Sequence, residues 1–181
     1  MTVTECTVTA INPVTSVQGG SPYSYTIADP QLEIPYDYVQ VPACGYAMTI
    51  TPTETPASPA ISHDAANKKF IIFSTDVSHA ATGISVSALI TLTGDSFTLT
   101  ETFTVDIDIV DPCLSTTLGT FAAFSISVSE LGVTSSTTLP QVLDSTSSLN
   151  GGDGMTLCGP RVYTIMPNAW PASVQLTQPT G

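Results

Sequence analysis

The stretch Phe97-Thr-Leu-Thr-Glu-Thr-Phe-Thr-Val-Asp-Ile-Asp-Ile-Val-Asp-Pro-Cys113 decides how the chain is read. Phe97, Leu99, Phe103, Val105, Ile107 and Ile109 fall on one side of a period of two. Thr98, Thr100, Thr102, Thr104, Asp106 and Asp108 fall on the other. That alternation is the signature of a strand with one buried and one wet face. Upstream, Ile84, Val86, Ala88, Ile90 and Leu92 alternate in the same way, and Thr93-Gly-Asp-Ser96 separates the two runs as a short turn. The prediction is a long antiparallel hairpin, core face in, Thr and Asp face out. Glu101 interrupts the apolar side, so a bulge or a switch between sheets is expected there.

Outward from the hairpin, the chain repeats itself. Cys113 is followed about 45 residues later by Cys158-Gly159 and then Val162-Tyr-Thr-Ile165. Cys6 is followed about 38 residues later by Cys44-Gly45 and then Tyr46-Ala-Met-Thr-Ile50. Each Cys pair encloses a short alternating run, Tyr23 to Ile27 and Phe124 to Val128. Two tandem modules are therefore expected, over residues 1–110 and 111–181, the second without counterparts of Phe70 to Ile109.

Further strands are expected over Thr2–Ala10, Tyr23–Ile27, from Tyr46 to Ile50, at Phe70–Ser74, Val133–Leu139, Val162–Met166 and Val174–Thr177. Asn12-Pro13 reads as a turn and Ser145–Gly154 as a polar turn region. Pro30, Pro35 and Pro42 make Ala28–Pro42 irregular, with any strand there at an edge. Thr49–Ser62 carries three prolines and reads as an exposed, extended loop. Thr51, Thr53, Thr55 and Ser58, next to those prolines, fit O-glycosylation, and a bare exposed loop is the plainer alternative. No Asn-x-Ser/Thr sequon occurs.

Composition removes several function classes. The formal net charge is −12, with only Lys68, Lys69 and Arg161 positive, so nucleic acid and anionic membrane surfaces are not expected partners. No apolar run approaches the roughly 20 residues of a membrane span. The N-terminus has no basic segment followed by an apolar one, as a signal peptide would. Four cysteines at repeated positions, with few charges and abundant Ser and Thr, imply an oxidising, extracellular or cell-surface setting.

On Cys6…Cys44-Gly45…Tyr46-x-Met48 and Asp111-Pro-Cys113…Cys158-Gly159…Tyr163-x-Ile165, the chain resembles tandem immunoglobulin-like or cadherin-like β-sandwich repeats. The run Phe103 to Pro112 is similar to the last strand and linker of such repeats. No Trp lies between the paired cysteines, and cadherin calcium motifs are absent. The resemblance implies an all-β fold of tandem Ig-like antiparallel sandwiches, the second completed by strands of a neighbouring subunit. It further implies a subunit of an extracellular fibril, with copies of itself as partners. An adhesin or carbohydrate-binding module of a longer surface protein is the alternative.

Four cysteines allow three pairings, of which the repeat favours Cys6–Cys44 and Cys113–Cys158. Asp106, Asp108 and Asp111 could supply hard oxygen ligands to calcium at the module junction, or could simply line a solvated strand face. Gly151-Gly-Asp-Gly154 reads as a turn. His63, next to Asp64, and His79 fall in polar, loop-like contexts without a Gly-x-Ser-x-Gly elbow. Trp170 reads as a core or interface aromatic, with sugar stacking as the alternative. No catalytic residue, cofactor site or metal site is assigned.

Overall fold

The computed structural model describes residues 6–13, 21–120, 137–138, 142–146, 155–160 and 162–163. The chain divides into two compact units, Met1–Asp111 and Pro112–Gly181. The fold is all-β, and the nine strands seen among the described residues lie in the first unit. They are β1 (Ala10–Pro13), β2 (Tyr23–Thr26), β3 (Leu32–Pro35), β4 (Tyr38–Val41), β5 (Met48–Thr55), β6 (Ile61–Asp64), β7 (Lys69–Ile72), β8 (Ala81–Thr93) and β9 (Thr98–Val110).

The hairpin predicted from alternation is the frame of this unit. Strands β8 and β9 pair antiparallel over thirteen residues each, and Ile84, Val86, Ala88, Ile90 and Leu92 of the first and Phe103, Val105, Ile107 and Ile109 of the second are nearly inaccessible to solvent. A four-stranded sheet forms around them in the order β2-β9-β8-β5, and a three-stranded sheet, β3-β7-β6, lies across its inner face. Phe70 of β7 stacks on Phe103 of β9 with ring centroids 6.4 Å apart, and Tyr36 stacks on Phe103 at 5.4 Å. These rings close the core between the two layers, burying apolar area at roughly 25 cal/mol per Å². A separate two-stranded ribbon pairs β1 with β4.

Four local expectations need correcting. Thr49–Thr55 belongs to strand β5 and pairs without interruption to β8, from Met48 opposite Leu92 to Thr55 opposite Ser85. Pro52 is tolerated because β5 is an edge strand, so its missing donor faces away from the ladder. The register also runs unbroken through Glu101, which sits opposite Ile90. The bulge is instead at Ala81/Ile84, where Gly83 takes a positive φ of 67° that few other residues adopt cheaply. Third, Thr2–Glu5 of the expected first strand lie outside the described residues, and among those described the strand runs over Ala10–Pro13, with Asn12 and Pro13 paired to Val39 and Tyr38 rather than turning. Finally, β2 pairs parallel to β9, so the sheet is mixed rather than purely antiparallel.

The turn between β8 and β9 depends on Gly94. A Cβ there would lie 2.3 Å from the Phe97 ring, which folds back over the turn while Gly94 N–H donates to the Phe97 carbonyl at 2.9 Å. Tyr25 ties β2 to the chain after β7: its hydroxyl donates to the Asp29 carbonyl at 3.0 Å and accepts from Ser74 N–H at 3.1 Å.

In the second unit, the described residues show a bridge between Leu118 and Asp144 and a single helical turn, α1 (Met155–Cys158). That turn was not foreseen from the sequence. The strands expected at Phe124–Val128 and Val174–Thr177, most of Val133–Leu139 and of Val162–Met166, the Gly151–Gly154 turn and Trp170 lie outside the described residues.

Candidate functional site

The cysteines form two disulfides, Cys6–Cys44 and Cys113–Cys158, with Cα atoms 5.7 and 5.4 Å apart. Around the first, a knot of backbone contacts fastens the N-terminal segment. Tyr46 O–H donates to the Cys6 carbonyl at 3.0 Å, and Thr9 N–H donates to the Val41 carbonyl at 2.8 Å. The Gln40 carboxamide grips the backbone of Tyr46 twice, accepting from its N–H at 3.1 Å and donating to its carbonyl. The Tyr46 ring meets Phe97 edge-on at 5.3 Å, which joins this knot to the hairpin turn. Around the second disulfide, Asp144 accepts from Thr146 N–H at 2.9 Å and from its hydroxyl at 2.6 Å, both residues being buried. Thr146 Oγ1 lies 3.6 Å from Cys158 Sγ.

The four residues proposed for O-glycosylation separate into two groups. Thr51, Thr53 and Thr55 are exposed on the outer side of β5, spaced by the pleat. Ser58 is half-buried, and its hydroxyl accepts from Ala60 N–H at 3.3 Å within a tight turn. Turn formation competes for the Ser58 hydroxyl and leaves the β5 threonines as the accessible acceptors.

The aspartates at the end of β9 are not gathered into one ligand set. Asp108 accepts from Gly83 N–H at 2.8 Å and so satisfies the backbone at the bulge, while Asp106 stands exposed with its own N–H on the Ser21 hydroxyl at 3.0 Å. Among the described residues, no group of three or more His, Cys, Asp or Glu side chains could hold a metal ion.

His63 is packed on a strand, contrary to the loop-like context expected, whereas His79 ends the short turn Val77–His79 between β7 and β8, the loop-like context expected of it. His63 lies on β6, its ring parallel to Tyr36 at 5.9 Å and tilted against Phe70 at 5.1 Å. Burial, then Tyr38 and Asp64, push the Tyr36 phenol up to about 12, so it stays protonated, and its oxygen lies 2.5 Å from His63 Nε2. Burial also lowers the His63 pKa, against the opposing pull of Asp64 and Glu54. His79 Nδ1 lies 2.8 Å from Ser74 Oγ, and His79 Nε2 lies 3.8 Å from Asp76 Oδ2. The residue types are those of a nucleophilic triad, but Ser74 is buried and its Oγ already accepts from Asp76 N–H at 2.9 Å. This arrangement locks the turn after β7; it does not present a nucleophile.

Both lysines serve β3 and the residues after it: Lys69 Nζ pairs with Glu33 at 2.7 Å and Lys68 Nζ with Asp37 at 2.5 Å. Beside the second pair, Tyr36, Tyr38, Met48, Ile50 and Ile90 line a shallow groove of about 190 Å³. No protein-family model matches this sequence, and no curated protein matches it. Among the described residues no helix is long and apolar enough to cross a membrane.

Proposed function

We propose that the chain is a non-catalytic structural subunit of an extracellular fibril, built from tandem Ig-like modules and assembled by β-strand complementation between subunits. The observation that carries this reading is a contrast in apolar exposure. Among the described residues, the most exposed large apolar side chains are Leu114 (87%), Val162 (81%), Leu118 (64%) and Leu143 (53%), all in the second unit. The first unit buries most of its large apolar side chains, and those it exposes, led by Val39 (48%) and Phe73 (47%), are each less exposed than these four. We read these exposed side chains as part of an association surface. Covering it with strands from the next subunit gives head-to-tail contacts that grow without closing. The two disulfides fit an oxidising setting, and exposed Thr51, Thr53 and Thr55 fit O-linked glycans on the fibril surface.

Electron microscopy of dilute native material, with and without a chelator, tests this. Uniform filaments that survive chelation are expected. Filaments that dissolve in chelator would transfer the weight to calcium at Asp106, Asp108 and Asp111. Monomers in both conditions would sink the fibril reading and leave an adhesin or carbohydrate-binding module of a longer surface protein.

A further inference from the structure

The outer face of the four-stranded sheet carries an ordered patch of seven threonines, with Ser87 and Leu89 on its middle strand. Strand register sets three consecutive rows, Thr49–Thr91–Thr100, Thr51–Leu89–Thr102 and Thr53–Ser87–Thr104, across β5, β8 and β9. The β5 and β9 members of every row are exposed. None of these hydroxyls has a protein hydrogen-bond partner among the described residues, whereas Ser21, Ser58 and Ser74 spend theirs on backbone groups. Strand geometry spaces such groups about 4.8 Å across the sheet and about 6.7 Å along it. Threonine is stiff at χ1, so each of the seven threonine positions offers one hydroxyl and one methyl with little rotamer freedom left to lose on contact, while Ser87 adds a hydroxyl and Leu89 an apolar side chain on the middle strand.

Charge is excluded from the patch. The chain has fifteen carboxylates and a net charge of −12, yet these nine positions hold none, and Asp106 and Asp108 begin only beyond the last row. A matching ligand is therefore uncharged, hydrogen-bonds to hydroxyls, accommodates methyl groups between them, and repeats at small-molecule distances in two directions. A polysaccharide chain repeats in one direction and is usually gripped by aromatic faces and carboxamides, which the patch lacks. Crystalline water meets all four requirements. We propose that this threonine face, where Thr51 and Thr53 carry no glycan, adsorbs to ice. The sheet twists by roughly 20–25° between neighbouring strands. Only the middle rows therefore meet a flat crystal plane together, which favours slowing of recrystallisation over strong depression of freezing.

The test uses the full, disulfide-bonded chain made without glycosylation, in an ice-recrystallisation assay with crystal morphology recorded alongside. Inhibition with faceted crystals is expected. Thr102→Tyr, at the β9 end of the middle row, is expected to raise the concentration required by about tenfold or more, the equivalent of about 1.4 kcal/mol. Thr75→Tyr, exposed in the loop after β7, is expected to leave it unchanged. Circular dichroism melts establish that each variant is folded, and Thr49→Lys on the edge strand gives a second reading should Thr102→Tyr fail to fold. Absence of inhibition by the unsubstituted chain overturns the proposal. So does full activity in both lattice variants, or binding to an insoluble polysaccharide that Thr102→Tyr abolishes while ice assays stay blank.

Discussion

The two faces of the β8–β9 hairpin share one backbone and differ in almost everything else. Inward, Ile84, Val86, Ala88, Ile90, Leu92, Phe103, Val105, Ile107 and Ile109 are between 0 and 6% exposed. Outward, threonines, serines and two aspartates meet solvent. Alternation places the folding free energy of these strands on one side of the pleat, because burial is what stabilises them. The other side is then free to vary, and β-propensity alone would accept many residue types there. Its threonine bias, unbroken along β5 and β9 across three rows and interrupted only by Ser87 and Leu89 on β8, is not required by the core.

Substitutions at neighbouring positions break this comparison most directly. Phe103→Ala is expected to lose about 3–5 kcal/mol in denaturant unfolding, since the ring fills the space between Tyr36 and Phe70. Removing the Cys6–Cys44 bond with paired serines should cost roughly 2–4 kcal/mol, which tests whether the turn end of the hairpin depends on the knot that reaches it through Tyr46 and Phe97. Asp108→Ala asks whether the outer face contributes any stability of its own; loss of the acceptor for Gly83 N–H predicts about 1 kcal/mol.

A pH titration sharpens the contrast from the inner side. Because burial depresses the His63 pKa, the unfolded chain takes up a proton first as pH falls through about 6.5. Stability contributed by neutral His63 is complete above that value and declines below it, down to the folded-state pKa. Thermal melts between pH 7.5 and 5 should show this decline, and His63→Gln should flatten it; an unchanged slope would remove His63 as its source. The smallest effect is expected next door to the largest: Thr102→Ala should change stability by less than about 1 kcal/mol.

How much of this was legible in the sequence follows from the range of the forces involved. The hairpin was readable because a period of two over thirteen residues reflects burial on one side, and burial is local to each strand. Strand β5 was hidden because Thr-Pro repeats have the same composition in a solvated loop as on a sheet edge; only the partner strand distinguishes them. The bulge was placed at Glu101, where the apolar pattern breaks, but its cause lies at Gly83, and Glu101 simply sits on the same side of β9 as the core residues. The parallel pairing of β2 with β9 joins residues about 80 positions apart, and nothing in Tyr23–Thr26 announces it. Among the candidate sites, the exposed β5 threonines were visible as residue types. Their alignment with Thr91 and Thr100 was not, because register is a property of strand pairs.

Pro52 has one consequence beyond local geometry. A cross-β template must offer backbone donors at regular steps along its free edge, and a Thr-rich strand of eight residues at the border of a sheet would otherwise be a ready seed for amyloid. With Pro52 in its middle and Pro56 just past its end, β5 cannot supply that regular series. The edge is proofread: an indiscriminate β-strand arriving from a misfolded copy finds a gap where it needs a donor. Two copies of the chain can therefore meet at their hydroxyl-rich borders without either presenting an unbroken template.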